Sequence, residues 1–298
     1  MKSKELRQAL ACAVKAAAEA GALMRKNFSS AKTVTFQHQH DIKLELDVRC
    51  QQAIERVLRT SFPGWPVLGE EGVSGDEEAE RRWVVDPIDG TVNFAYGVPH
   101  SCVSIALQLR RNDAGSTSQT ASGETHETVT GVVYDPFCRE LWTAVRGEPA
   151  RLNGKPIHVS RRSKLRETII SVGFSKYAHT LKSMLPVFNL LLYKVRKVRI
   201  MGAAALSMTY VASGRFDAYV ETGIRLWDIA AGGLILECAG GEFWRRPAPG
   251  KHSYQIIANN GLLRQKLQAL LPAGPALKSL KFSETATRAR LRTGIARK

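Results

Sequence analysis

Acidic residues crowd at two places in a chain that is otherwise basic. The first is Gly69-Glu70-Glu71, and the second is the run Asp86-Pro87-Ile88-Asp89-Gly90-Thr91; each lies beside a short apolar run. Pro87 disfavours a helical conformation at Asp86, and Gly90 permits an unusual turn, so the two aspartates of the second run can converge on one point. Carboxylates held this close repel each other unless a cation joins them.

The oxygen atoms at these places form a candidate ligand set for a metal ion. Oxygen-only sites favour Mg²⁺ or another hard cation, and the five cysteines form no CxxC pair that would indicate zinc. Turn statistics offer a plainer interpretation of each fragment alone, because Asp-Pro and Asp-Gly are common turn dipeptides and Glu-Glu is a common solvated pair. The candidate ligands are Glu70, Asp86, Asp89, the main-chain carbonyl of Ile88 and, further along the chain, Asp228.

Helices and short strands must bring these acids together. Apolar residues three or four apart from Leu6 to Phe28 predict an amphipathic helix, and a second helix begins near Asp47, whose carboxylate suits a first turn. Short apolar runs predict strands at 66–68, 83–85, 102–109, 130–134, 141–145 and 168–174. Further helices are expected at 181–193, 202–212, 227–238 and 261–271, and the polar stretch 112–128 is expected to be an exposed loop.

Length and composition indicate a globular protein with an unusual charge. The chain has 298 residues, of which 44% are hydrophobic and 23% charged, which excludes a largely disordered protein. Its net charge of +16 should attract phosphate-bearing partners. No apolar run reaches the length of a membrane span, and the scattered cysteines fit a reducing cytoplasm. No G-x-S-x-G, Walker or H-E-x-x-H motif is present.

Three motifs, in the same order along the chain, resemble those of the inositol monophosphatase family. Members of this family are Mg²⁺-dependent, lithium-sensitive phosphatases. The three motifs are G-E-E at 69–71, D-P-I-D-G-T-V-N-F at 86–94 and W-D-I-A-A-G at 227–232. The resemblance extends over about residues 5–272 and includes the G-V-V-Y-D-P strand at 131–136, the segment 199–205 and Glu221.

The resemblance implies a metal site with two Mg²⁺ ions. Glu70, Asp86 and the Ile88 carbonyl would hold one ion, while Asp86, Asp89 and Asp228 would hold the second; Glu70 would also touch a weaker third ion. The implied catalytic residues are Asp47, Glu70 and Thr91, with Asp47 and Thr91 orienting and deprotonating the attacking water. The implied substrate-binding residues are Asp89, Gly90, Thr91, Gly202, Ala203, Ala204 and Glu221.

The resemblance also implies an architecture. We expect a layered αβαβα sandwich in a single phosphatase domain at 1–272, with halves at about 1–160 and 161–272 and the metals where the halves meet. Homodimers are common in such enzymes. Residues 273–298 lie outside the resemblance, and their basic composition predicts a flexible tail that could bind polyanions weakly.

The expected activity is hydrolysis of a small sugar- or cyclitol-phosphate monoester, with myo-inositol monophosphate as the leading substrate. Fructose 1,6-bisphosphate and a nucleotide such as 3′-phosphoadenosine 5′-phosphate are alternatives within the same chemistry. A scaffold that binds RNA or a partner protein through its basic surface, with residual phosphatase activity, is an alternative from a different class.

Overall fold

Two β-sheets form the frame of the protein, whose computed structural model describes residues 3–38, 41–111, 125–174 and 178–270. The helices in these ranges are α1 Ser3–Asn27, α2 Glu45–Ser61, α3 Thr91–Ala95, α4 Ala178–Lys194, α5 Ala204–Ala212, α6 Leu226–Cys238 and α7 Arg264–Gln268. The strands are β1 Val34–His38, β2 Asp41–Leu44, β3 Val67–Gly69, β4 Gly72–Ser74, β5 Arg81–Asp89, β6 Cys102–Arg110, β7 His126–Asp135, β8 Glu140–Val145, β9 Arg151–Leu152, β10 Lys155–Pro156, β11 Ile169–Val172, β12 Lys197–Arg199, β13 Ala218–Arg225, β14 Glu242–Pro247 and β15 Ser253–Asn259.

The larger sheet holds eight strands in the order β10-β9-β8-β7-β6-β5-β3-β4, and the smaller sheet holds five in the order β12-β11-β13-β15-β14. Most neighbours are antiparallel. The parallel pairs are β3 with β5 in the larger sheet and β11 with both β12 and β13 in the smaller one. Strands β1 and β2 form a separate hairpin that leads into α2.

Helices cover both sheets and fill the space between them. An alanine-rich face of α1 packs with α2 against the larger sheet, because small side chains let a helix approach closely. Helices α5 and α6 lie between the two sheets and are apolar around most of their circumference, as a helix buried on all sides must be. Helices α4 and α7 pack on the outer face of the smaller sheet. The expected αβαβα sandwich is therefore confirmed.

Gly131 sets the distance between the larger sheet and α6. A Cβ atom at this position of β7 would lie 2.9 Å from the main-chain oxygen of Ala231 and 3.2 Å from its Cα. Both distances are shorter than ordinary van der Waals contact, and both partner atoms belong to helix backbone. The helix can lie this close to the strand only because residue 131 has no side chain.

Several segments differ from the sequence expectation. Residues 126–128 of the expected loop begin β7, while residues 112–124 lie outside the described ranges. The helix expected at 261–271 is shortened to α7, because the Asn259 and Asn260 side chains accept main-chain N–H groups and hold residues 261–263 in a turn. Strands β13–β15 were not predicted. The basic tail at 273–298 lies outside the described residues.

None of the helices in the described part of the chain combines the length and hydropathy needed to cross a bilayer.

Candidate functional site

A cavity of about 760 Å³ lies where the two halves of the chain meet. Its wall combines residues from the larger sheet, from the N-terminal ends of α5 and α6, and from β13. The predicted site residues in this wall are Glu70, Asp86, Ile88, Asp89, Gly90, Thr91, Gly202, Ala203, Ala204, Glu221 and Asp228. Asp47 is the remaining predicted residue; it is buried at the start of α2 and does not line the cavity surface.

Three carboxylates from distant parts of the chain converge on one point of the cavity. Ligand oxygens of Glu70, Asp86 and Asp228 all lie within 4.8 Å of one another. Asp86 is buried, and its Oδ1 accepts a hydrogen bond from the main-chain N–H of Ile88 at 3.0 Å. Burial, together with the negative charges of Glu70, Asp89 and Asp228, raises the pKa of Asp86 well above its usual range.

Asp89 sits beside this cluster and is fastened to α5. Its Oδ1 accepts the main-chain N–H of Ala204 at 3.1 Å, and its Oδ2 accepts that of Ala205 at 2.7 Å. Burial raises the pKa of Asp89 to about 7, although these hydrogen bonds oppose the shift. Asp86 and Asp89 both lie at the end of β5, and an irregularity in the register between β5 and β6 falls between them.

Asp47 and Asp228 occupy the same position in two different helices. Each is the third residue of its helix, and one oxygen of each accepts the main-chain N–H of the residue before the helix: Leu44 for Asp47, at 2.7 Å, and Arg225 for Asp228, at 2.9 Å. Burial raises the pKa of Asp47 to about 7. Its other oxygen, Oδ1, is buried and has no hydrogen-bond partner among the described residues. Helix capping therefore explains the position of Oδ2 of Asp47 but gives no role to Oδ1.

The turn after β5 depends on a glycine. Gly90 has φ of 91°, a conformation that L side chains rarely adopt, and a Cβ here would lie 3.0 Å from the His100 main-chain oxygen. The turn leads into α3, and the Thr91 hydroxyl donates to the Ile88 carbonyl at 2.9 Å. This carbonyl oxygen keeps a second lone pair.

Asn93 joins the first half of the chain to the cavity wall of the second half. Its Nδ2 donates to the main-chain oxygens of His100 at 2.8 Å and Met201 at 2.9 Å. Met201 precedes the Gly202-Ala203-Ala204 segment, so these bonds hold that part of the wall against the turn that carries Gly90. The sequence motif contains Asn93, but its spacing alone does not reveal this bridging role.

Glu221 contributes a further carboxylate to the cavity wall. It lies on β13, and burial raises its pKa to about 8, while a hydrogen bond from the Tyr219 hydroxyl opposes the shift. Tyr219 was not predicted as a site residue. Its position two residues before Glu221 on a strand was the available signal, because alternate strand residues share a face.

The donor set fits a hard cation. Every candidate ligand atom is a carboxylate or carbonyl oxygen, and the acids crowd although burial and mutual repulsion oppose their charged forms. A divalent cation at this point would offset that repulsion and replace the protons that the raised pKa values imply. The residues present therefore fit Mg²⁺.

Comparisons with known proteins relate most of the chain to one family. A model described as the inositol monophosphatase family matches residues 5–273. Nus factor SuhB of Pasteurella multocida (strain Pm70) is 36% identical over 233 residues, which cover 77% of this chain and 82% of that protein. Inositol monophosphatase 1 of Solanum lycopersicum is 37% identical over 243 residues, which cover 79% and 84% respectively.

Solved structures show the same similarity. The extragenic suppressor protein suhB from Bartonella henselae superposes with a TM-score of 0.76 at 31% identity, covering 88% of this chain and 98% of that one. An inositol monophosphatase from Anabaena (Nostoc) sp. PCC 7120 superposes with a TM-score of 0.75 at 31% identity, covering 89% and 96%.

The raised pKa values predict that the metal-free protein loses stability as the pH rises from about 6.5 to about 7.5, the upper end of the interval between the unfolded and folded pKa values of Asp47 and Asp89. The folded pKa of Asp47 and Asp89 is about 7, and that of Asp86 is also raised, whereas an unfolded Asp titrates near about 3.9. The folded state therefore binds more protons than the unfolded state in this range, so its free energy of unfolding falls with rising pH. Thermal melts in EDTA at several pH values measure this fall.

Two controls isolate the carboxylates. Mg²⁺ should flatten the dependence by replacing the protons, and Asp86→Asn in EDTA should show a shallower dependence than the wild type. His100 and His126 contribute little in this range, because burial lowers the pKa of both and leaves them neutral. A melting temperature in EDTA that rises with pH would contradict the argument.

Proposed function

This chain belongs to the inositol monophosphatase family, and on that basis we propose that it hydrolyses small phosphate monoesters with Mg²⁺, with myo-inositol monophosphate as its leading substrate. Family membership supports phosphatase activity in general. The observation that carries the proposal is the convergence of Glu70, Asp86 and Asp228 within 4.8 Å at the wall of one cavity. Oxygen clusters of this kind suit cations that also bind phosphate oxygens.

We assign the metal ligands as follows. Glu70, Asp86 and the Ile88 carbonyl would hold one Mg²⁺, and Asp86, Asp89 and Asp228 would hold a second; Glu70 would also contact a third, weaker ion. When bound, these ions supply positive charge to the phosphoester and lower the pKa of coordinated water. The hydrogen bonds from Ala204 and Ala205 orient the Asp89 carboxylate, as supporting contacts around metal sites commonly do.

Asp47 and Thr91 act on the attacking water. The Oδ1 atom of Asp47, which has no hydrogen-bond partner among the described residues, is available to accept a proton, and a pKa of about 7 suits a general base near neutral pH. The Thr91 hydroxyl donates a hydrogen bond to the Ile88 carbonyl. The lone pairs of the Thr91 oxygen can therefore accept a hydrogen bond from the water. Water attacks phosphorus, the ester P–O bond breaks, and the products are the alcohol and inorganic phosphate.

The remaining residues bind the two ends of the substrate. Gly90 and Thr91 offer main-chain N–H groups to the phosphate at the turn before α3. The Gly202-Ala203-Ala204 segment forms the wall beside the alcohol, and Glu221 accepts hydrogen bonds from its hydroxyl groups. Fructose 1,6-bisphosphate and 3′-phosphoadenosine 5′-phosphate remain the alternative substrates.

We further propose a single catalytic domain at 1–272 that assembles as a homodimer and acts in the cytoplasm. Five free cysteines, three of them buried, support a reducing compartment. The basic residues at 273–298 are then an accessory to the catalytic domain rather than part of it.

A second candidate function is the binding of RNA to a basic edge of the smaller sheet. Two exposed segments, residues 161–167 and 194–199, lie close together at this edge. They meet because β12 pairs with β11 in a register that places Lys197 beside Ile169. Glu167 is the acid of these two segments, against seven exposed basic residues, and relatives named Nus factor SuhB are similar to this chain over most of its length. The basic residues are Arg161, Lys164, Arg166, Lys194, Arg196, Lys197 and Arg199.

Asp86→Asn should lower kcat by at least about 10³-fold, because it removes the charge proposed to join two cations. The measurement is Mg²⁺-dependent phosphate release from myo-inositol 1-phosphate. Asp76→Asn is a matched control, since Asp76 is exposed and lies outside the cavity. This variant should retain full activity. Activity of Asp86→Asn within about tenfold of the wild type would refute the bridging role.

A substrate panel should place myo-inositol 1-phosphate first by kcat/KM, because Glu221 and its wall favour a polyhydroxylated alcohol. The panel contains inositol phosphates, fructose 1,6-bisphosphate and 3′-phosphoadenosine 5′-phosphate, each assayed with and without Mg²⁺ and Li⁺. Li⁺ should inhibit by competing for a metal position. A kcat/KM for the nucleotide about tenfold above that for inositol 1-phosphate would overturn the substrate assignment while leaving the phosphatase proposal intact.

The basic edge is tested by removing two of its charges. Arg196→Ala/Lys197→Ala should weaken binding of a single-stranded RNA and reduce the salt dependence of that binding, while hydrolysis stays unchanged. Arg151→Ala/Lys155→Ala removes two exposed charges from the β9–β10 hairpin and is the matched control. Equal effects of the two double variants would mean that only net charge matters and would exclude a specific RNA surface.

A further inference from the structure

Tyr219 and Glu221 form a buried pair in the cavity wall. They are two residues apart on β13 and therefore share one face of the strand. Both line the cavity, with exposed fractions of 3% and 7%, and the Tyr219 hydroxyl donates a hydrogen bond to Oε2 of Glu221. Neither the metal ligands nor the residues assigned to the water use this tyrosine.

Strand β11 is shaped to accommodate the pair. The parallel register places Ser171 beside Tyr219, and Gly173, just after β11, faces the Glu221 carboxylate. A Cβ at Gly173 would overlap Oε2 of Glu221 and lie 2.7 Å from the Tyr219 hydroxyl oxygen. The absence of a side chain at 173 is therefore what gives the carboxylate its present place.

Polar side chains continue from this pair along the same wall. The Ser171 and Ser207 hydroxyls lie 3.2 Å apart, and Ser207 donates to the main-chain oxygen of Ala203. All of these residues line the cavity. This part of the cavity wall is thus lined by hydroxyl groups and one carboxylate.

The Glu221 carboxylate has an oxygen to spare. Among the described residues, Tyr219 is its hydrogen-bond donor, and that bond uses Oε2. Glu221 lines the cavity, so its Oε1 can accept a hydrogen bond from a hydroxyl group of a bound molecule. By holding Oε2, Tyr219 fixes the carboxylate plane and so determines the direction in which Oε1 accepts.

We propose that Tyr219 is a positioning residue for substrate selection: it orients Glu221 so that the enzyme prefers phosphate esters of polyhydroxylated alcohols over esters that lack hydroxyl groups. The inference rests on the proposed phosphatase function and adds to it the residue that determines the alcohol preference. Tyr219 acts through Glu221 and does not contact the phosphorus or the metal ligands.

Tyr219→Phe tests the proposal with two substrates. We expect KM for myo-inositol 1-phosphate to rise about tenfold, the effect of losing one well-oriented hydrogen bond, with kcat little changed. The kcat/KM for p-nitrophenyl phosphate, whose alcohol carries no further hydroxyl, should stay within about twofold of the wild type and reports that the variant is folded. Tyr210→Phe is a matched control outside the cavity and should change neither value.

A double-variant cycle tests the route through Glu221. If Tyr219 acts by orienting this carboxylate, Tyr219→Phe should cause no further rise in KM in a Glu221→Gln background. Additive effects, or an equal loss on both substrates, would overturn the inference. Absence of Mg²⁺-dependent phosphate release from either substrate by the wild type would instead overturn the proposed function, so the two failures are distinguishable.

Discussion

Repulsion between crowded carboxylates is the constraint around which this protein is organised. Glu70, Asp86 and Asp228 converge within 4.8 Å, and burial together with the neighbouring charges raises the pKa of Asp86 well above its usual range. Hydrogen bonds from main-chain N–H groups stabilise the charged forms of several acids of the site. The N-terminal ends of α2, α5 and α6 each donate to one acid of the site, namely Asp47, Asp89 and Asp228, where the helix dipole also favours negative charge. The layered architecture can be understood as the means of directing the N-terminal ends of α5 and α6 at one cavity, with the start of α2 buried nearby.

The capping of Asp47 and Asp228 shows how a structural role and a chemical role share one side chain. In each case one oxygen completes the first turn of a helix, which fixes the side-chain torsions. The second oxygen is then aimed without the entropy loss of ordering a free side chain. Interpreting such a residue as only a cap or only a functional acid therefore misses half of its contribution.

The sequence predicted the metal-binding acids more completely than it predicted the part of the cavity wall around Tyr219 and Gly173. Glu70, Asp86 and Asp89 follow apolar runs whose strand character is local, and Pro87 and Gly90 limit the backbone between them. The layered sandwich, which the family resemblance implied, is confirmed. Local periodicity contributed less, because α5 and α6 are apolar around most of their circumference. The β11–β13 register, in contrast, is a long-range pairing. No local pattern indicates that Gly173 faces Glu221.

Strands β14 and β15 escaped prediction for a related reason. In the edge strand β14, the aromatic residues Phe243 and Trp244 are followed directly by Arg245 and Arg246, whose guanidinium groups lie over the two rings. Hydrophobic period is weak there. Asn259 and Asn260 likewise look like ordinary turn residues, yet their side chains shorten the following helix to α7.

The close approach of β7 and α6 at Gly131 makes the site vulnerable at a distance. Any side chain at residue 131 must push against the backbone at Ala231, in the helix that carries Asp228 three residues earlier. A rigid helix would transmit that displacement to the carboxylate, which needs sub-ångström placement to share a cation. A homologue could therefore retain every acid and still be inert, so counting intact ligands is an insufficient criterion for inferring an active enzyme.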